Sequence, residues 1–200
     1  MANATAIFLS SIFGASLLLA VTPGCSSSPG KPAAAVVWNV NSALPNTSAT
    51  CGTESDSFTV GDTTMNPIVT VSDGSTANGG VPVTVQCSVT AVSTGFEVNA
   101  YLKYGNSATL TIIGTIATSG SGQPGTQTGI TGQFGDFIGL KASMTSSNCT
   151  VTFTGNPNMG VAATRIWGYI DCPNEAAVPA QSGVTSCDGN AQFLFENCSG

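Results

Sequence analysis

Histidine is absent from the 200 residues, and with it go the serine–histidine–aspartate and cysteine–histidine nucleophilic systems and every histidine-bearing metal site. Charge is scarce as well: 7% of residues are charged, against roughly 25% in an average soluble protein. The four cations, Lys31, Lys103, Lys141 and Arg165, are scattered and the net charge is −6, so a phosphate backbone is repelled and nucleic acid is not expected as a partner. No two cysteines stand in C-x-x-C spacing, and intervals of 36, 62, 23, 15 and 11 residues between the last six fit no zinc-ligand pattern, so neither a metal nor a cofactor is expected. Neither a G-x-S-x-G elbow nor a P-loop occurs. Enzymatic chemistry is thereby reduced to carboxylates, and none of the ten acids is singled out by its context; Asp62, Asp73 and Asp188 sit beside Gly or Ser in turn sequences, where Asp bonds its local backbone.

What fills the chain instead is Ser, Thr, Asn and Gly around a 42% hydrophobic fraction rich in Val, Ile and Phe, enough to build a core. Period-two alternation dominates. Val81, Val83, Val85, Cys87, Val89 and Ala91 fall on one face of a strand whose other face is Pro82, Thr84, Gln86, Ser88 and Thr90. Phe96, Val98, Ala100 and Leu102 repeat the pattern, and Gly105-Asn106 turns the chain into Ala108, Leu110 and Ile112, an antiparallel meander. Weaker strands are expected over 58–60, 68–71, 130–134, 137–144, 149–154, 165–172 and 191–196, a turn of helix over 175–180, and an exposed loop over 119–129. The sum is an all-β, antiparallel β-sandwich or jelly roll of about nine or ten strands.

Residues Ile7 to Val21 form an apolar run of signal-peptide length, too short to span a bilayer comfortably. It ends in Thr22-Pro23-Gly24-Cys25 and then Ser26-Ser27-Ser28-Pro29-Gly30, and here the sequence resembles bacterial lipoprotein precursors. The resemblance implies cleavage before Cys25, lipid on its sulfur, and a place in the cell envelope, at the outer membrane or cell surface, with Ser26 in the position that lets such proteins pass to the outer membrane. The expected organisation is a signal peptide over 1–24, a flexible tether over 25–49 whose one apolar patch, Val36-Val37-Trp38, docks through Trp38, and a β-domain over 50–200. The closing Gln192-Phe193-Leu194-Phe195-Glu196-Asn197-Cys198 resembles the last strand of cysteine-rich all-β lipoproteins, a likeness that implies nothing about activity.

Seven cysteines are an odd number for an exported chain. With Cys25 assigned to lipid, Cys51, Cys87, Cys149, Cys172, Cys187 and Cys198 remain as an even set for disulfides. Fifteen connectivities are open to six cysteines; Cys172 with Cys187 is the pairing expected to close the Pro/Gly/Ala/Ser segment between them.

The most suggestive candidate for binding is Arg165 to Cys172. Alternation puts Arg165, Trp167, Tyr169 and Asp171 on the face opposite Ile166, Gly168, Ile170 and Cys172. An outward aromatic pair between opposite charges suits a glycan-binding sheet, and Tyr101 on another strand could extend it. The bland reading is that a loop or the tether covers the two rings. Glu54 with Asp56, or Asp188 with Asn190, offers loop oxygens to calcium but no D-x-D-x-D-G loop. The function expected is that of a membrane-anchored lipoprotein, not an enzyme, with a structural or binding role, its partner a glycan or another surface protein.

Overall fold

A computed structural model describes residues 30–40, 51, 56–118, 125–181 and 184–200, with backbone alone at 180 and 181. Signal segment, Cys25 and Glu54 lie outside them. The described residues hold strands and no helix: β1 (Ala33–Val40), β2 (Asp56–Val60), β3 (Val71–Ser72), β4 (Thr76–Ala77), β5 (Val81–Val92), β6 (Gly95–Tyr104), β7 (Ala108–Ala117), β8 (Gln127–Asp136), β9 (Ala142–Thr152), β10 (Gly160–Ala162), β11 (Arg165–Gln181) and β12 (Val184–Glu196). Nine have five residues or more, and the other three are two or three residues long. The all-β, antiparallel, disulfide-bonded fold expected from alternation is what forms.

All twelve strands belong to one sheet, ordered β2-β1-β12-β11-β9-β8-β7-β6-β5-β4, with β3 added to β1 and β10 to β11. The layers that enclose the core are thus one sheet, which curls until its ends nearly meet and it resembles a barrel. Its seam is closed by backbone. Gly74 N–H donates to the Val83 carbonyl (3.0 Å) and Val83 N–H to the Ser75 carbonyl (2.9 Å), while Asp73 N–H reaches the Pro32 carbonyl beside β1 (2.8 Å). Further along β5, Val89 N–H donates to the Ser199 carbonyl (2.8 Å) and Ser199 N–H to the Cys87 carbonyl (3.0 Å). Near-closure shortens the open edges that a sheet this large would otherwise present.

The meander expected from the clearest alternation is present, with Val83↔Tyr104 to Val92↔Gly95 between β5 and β6 and Gly95↔Ala117 to Tyr104↔Ala108 between β6 and β7. Of the inward set, Val83, Val85, Cys87, Val89, Val98, Ala100, Leu102, Ala108, Leu110 and Ile112 are buried, Val81 and Phe96 are half-buried, and Ala91 at the strand end is exposed.

Other expectations are corrected. The tether gives way at Ala33, because Ala33–Val40 is an interior strand paired with β12 on one side and with β2 and β3 on the other. Ala33 to Val36 are all buried, on both faces of the sheet, which is why this stretch reads as a short apolar run without alternation. Trp38 is a wholly buried core residue stacked on Phe58, with ring centroids 5.2 Å apart, and not a docking residue. The helical turn over 175–180 is instead the second half of β11, where Ala176, Ala177 and Val178 pair with Thr145, Met144 and Ser143. Of the strand over 137–144, only the end from Ala142 forms; Phe137 to Lys141 make a turn capped by Asp136. Of the loop over 119–129, residues 119–124 lie outside the described ones and Gln127 to Gly129 begin β8.

Three disulfides join Cys51–Cys187, Cys87–Cys198 and Cys149–Cys172. The expected Cys172–Cys187 bond does not form, because residues 173–186 are mostly strand rather than loop. In the β11–β12 register Cys172 lies opposite Gly189 and Cys187 opposite Glu175. The β9–β11 register, Tyr169↔Thr152 to Asp171↔Thr150, puts Cys172 opposite Cys149 at the next step, their Cα atoms 4.2 Å apart. The Cys87–Cys198 bond pins the seam, tying β5 to the chain end beyond β12.

Candidate functional site

The outward face of β11 carries Arg165, Trp167, Tyr169 and Asp171, as alternation predicts, while Ile166, Gly168, Ile170 and Cys172 are buried behind it. Its neighbours continue the outward rows. Trp167 lies beside Leu194 on β12, Tyr169 beside Gln192 and Asp171 beside Asn190. On β1, Ala35, Val37 and Asn39 face those same three β12 residues.

Above this face lies a small hairpin, residues 62–69, closed by two backbone bonds between Asp62 and Val69 (2.8 and 3.1 Å) and turning at a cis Asn66–Pro67 bond. Asp62 starts it: its carboxylate accepts the Thr64 N–H (2.8 Å) and hydroxyl (2.6 Å), which holds its pKa below the ordinary aspartate value. The hairpin sits close because Gly61, at φ +70°, has no side chain; a Cβ there would fall 2.3 Å from the Val69 carbonyl oxygen and 3.1 Å from the Ala35 Cβ. Two bonds fasten this segment to β12, the Thr63 hydroxyl donating to Gln192 Oε1 (3.2 Å) and the Thr70 hydroxyl to Glu196 Oε1 (2.7 Å).

The hairpin divides the face into two grooves that share Thr63 and Thr64. The first, about 430 Å³, lies between the hairpin, Asn156 and Asn158, with Arg165, Trp167, Leu194 and Glu196 on its walls. Trp167 is only 6% exposed there, so the covered-ring reading holds for the indole. Arg165 stacks 5.4 Å from its ring centroid and donates to the Asn158 carbonyl (3.3 Å). The second groove, about 410 Å³, is lined by Tyr169, Asp171, Gln192, Asn190, Asn39, Thr152 and the two threonines. Tyr169 is 36% exposed in it. Half-burial raises the pKa of Asp171 by desolvation.

Arg165, Trp167, Tyr169 and Asp171 therefore share one face, but as two compartments rather than one aromatic strip. Tyr101 is not part of either. It lies on β6, with β7, β8 and β9 between it and β11, and lines a separate depression with Gln86, Ser88, Asn99 and Ser199. The hairpin wall carries little signal in the sequence: Thr63 and Thr64 lie in a turn-rich stretch between Gly61-Asp62 and Asn66-Pro67.

The buried acids lie elsewhere. Asp136, wholly buried, accepts the N–H groups of Ile138 (3.0 Å), Gly139 (2.9 Å) and Leu140 (3.1 Å). Glu175 is also wholly buried, but neither of its oxygens has a hydrogen-bond partner among the described residues. Desolvation, helped by the nearby Asp188 charge, pushes its pKa to about 10, so at neutral pH it is a protonated core residue. Asp188, offered above as a calcium ligand, is buried and accepts the Asn174 N–H (2.9 Å), while Asn190 accepts from Asn39 Nδ2 (3.0 Å). Cys149, Cys172 and Glu175 bring ligand-type atoms within 4.8 Å of one another, yet both sulfurs are spent in a disulfide. The two acids lining the outer face, Asp171 and Glu196, are separated by six register steps, since Glu196 lies level with Arg165. At about 3.3 Å per residue that is about 20 Å, beyond the roughly 5–10 Å that a glycosidase pair spans.

Compared with known proteins, the chain matches no family model, no curated protein and no solved structure. Its function is therefore read from the residues themselves. No helix among the described residues is long and apolar enough to cross a membrane.

Proposed function

We propose that the chain is an exported, non-enzymatic lipoprotein, anchored through lipid on Cys25, whose β-domain binds its partner on the outer face of β1, β11 and β12. The observation that carries this reading is the pairing of the six downstream cysteines among themselves, which leaves Cys25 as the odd one. Three disulfides are consistent with an extracytoplasmic location. The Thr22-Pro23-Gly24-Cys25 junction supplies the reason for the odd cysteine.

The anchor is short. Gly30 already packs on Asn197, whose amide donates to the Lys31 carbonyl (3.2 Å). Five residue steps separate Cys25 from Gly30, a reach of about 17 Å when fully extended. The domain is thus held against the membrane by the end where β1 starts and β12 finishes. The opposite end, with Phe137 46% and Ile138 61% exposed, points away. The binding role rests on the two hairpin-walled grooves, and the absence of histidine and the wide separation of Asp171 from Glu196 speak for binding rather than turnover.

Fractionation of the producing cell tests the anchor. The wild-type chain stays with membranes through high salt and alkaline washing, and Cys25→Ser moves it to the soluble fraction. A Cys25→Ser chain that remains membrane-bound after those washes contradicts the lipid anchor.

A further inference from the structure

We infer that the second groove, around Tyr169, is a subsite for a neutral glycan; this rests on the reading of the outer face as a binding surface and names its ligand class. A sugar offers two things to a protein, a flat face of C–H bonds and a rim of hydroxyls, each both donor and acceptor. The groove answers both. Tyr169 supplies an exposed ring held on a strand, and around it stand amides and hydroxyls from Asn39, Asn190, Gln192, Thr63 and Thr152.

These groups are fixed before any ligand arrives. Asn39 Nδ2 donates to Asn190 Oδ1 (3.0 Å) and the Thr63 hydroxyl to Gln192 Oε1 (3.2 Å), so three side-chain amides are held by partners on neighbouring segments. Pre-placed polar groups on rigid strands reduce the entropy cost of binding. The volume, about 410 Å³, falls in the range of small-molecule sites.

The charge of the lining selects against the other ligand classes. No cation lines this groove, and its single acid, Asp171, would repel phosphate, sulfate or uronate groups. The apolar side chains of the lining are Val37, Ala191 and the tyrosine ring. A peptide adding as a strand needs a free sheet edge, whereas this groove lies on a face between paired strands.

The test is a glycan array carrying neutral and acidic oligosaccharides, probed with the full-length lipidated chain in detergent micelles. Wild type is expected to bind neutral glycans. Tyr169→Ala and Gln192→Ala should each weaken that binding about tenfold, the equivalent of one lost contact. Tyr169→Phe, which keeps the ring, stays within about threefold of wild type, about 0.7 kcal/mol. Val178→Ser, at the far end of β11, is unchanged, and unaltered melting temperatures show that all four variants fold. Absence of binding to any neutral glycan, preference for acidic ones, or binding that survives both alanine variants overturns the inference. An anchored protein that binds no glycan breaks this inference alone. A Cys25→Ser chain that leaves the membrane unaided yet still binds keeps both.

Discussion

From Val81 to Asp136 each strand of the sheet hydrogen-bonds to the next in sequence, and the three registers β5–β6, β6–β7 and β7–β8 run without a break. The other half, β1, β9, β11 and β12, is assembled from opposite ends of the chain: Ala33 meets Glu196, and shifts interrupt β8–β9 and β11–β12. The irregular half also holds Glu175, the hairpin-walled grooves and at least one cysteine of every disulfide or its immediate flank. Local hairpins build the first half, whereas β1 must be brought to β12 across most of the chain at the entropy cost of closing a long loop, and two of the three disulfides close separations of 136 and 111 residues.

The largest expected effect breaks this comparison at its covalent links. Replacing both Cys51 and Cys187 by Ala frees a closure of 136 residues, which the chain-entropy relation values at about 5 kcal/mol. The same change at Cys149 and Cys172 frees a closure of 23 residues and should cost about 3 kcal/mol. Denaturant unfolding of the two double variants gives the order; a larger loss at Cys149–Cys172 would show that local packing and not loop closure sets the value of these bonds.

Two buried carboxyl groups sharpen it next. Asp136 closes the regular half with three N–H partners, so Asp136→Ala leaves three donors to find water and should cost about 3 kcal/mol in denaturant unfolding. Glu175 belongs to the irregular half and behaves oppositely. Its pKa rises from 4.5 to about 10 on folding, so the folded state favours the proton. Its contribution is fully present below pH 4.5 and is lost as pH rises towards 10, at about 1.4 kcal/mol per unit. Glu175→Gln should therefore match wild type near pH 4 and exceed it by about 3 kcal/mol at pH 7. Stability curves of wild type and variant that stay parallel from pH 4 to 8 would contradict the protonated, unpartnered state.

The smallest effect falls on the groove. Tyr169 is exposed and the backbone beneath it is fully paired, so Tyr169→Ala should change unfolding free energy by less than about 0.5 kcal/mol. A loss above about 2 kcal/mol would make the tyrosine a packing residue and remove its claim to a ligand.

The same division explains what could be read from sequence. In the meander, alternation and Gly105-Asn106 gave strands, facing and pairing together, because one face is buried and neighbours in sequence are neighbours in space. β1 was hidden since both its faces are buried beside sheet and hairpin, which erases the period of two. The helical turn over 175–180 was misread because the shift between Cys172 and Glu175 interrupts the pattern of β11. The facing of Arg165 to Cys172 was legible, and so was the option that a loop covers the rings, whereas which segment covers Trp167 was not: the hairpin reaches β12 from about 130 residues away, through Thr63 and Gln192.

Intact mass of the chain recovered from its native membrane, before and after reduction, tests the lipid anchor and the three disulfides together. The expected mass is that of residues 25–200 plus a lipid on the Cys25 fragment, with a gain of six hydrogens on reduction from three disulfides. A mass without lipid, with Cys25 reactive to thiol reagents before reduction, would contradict it.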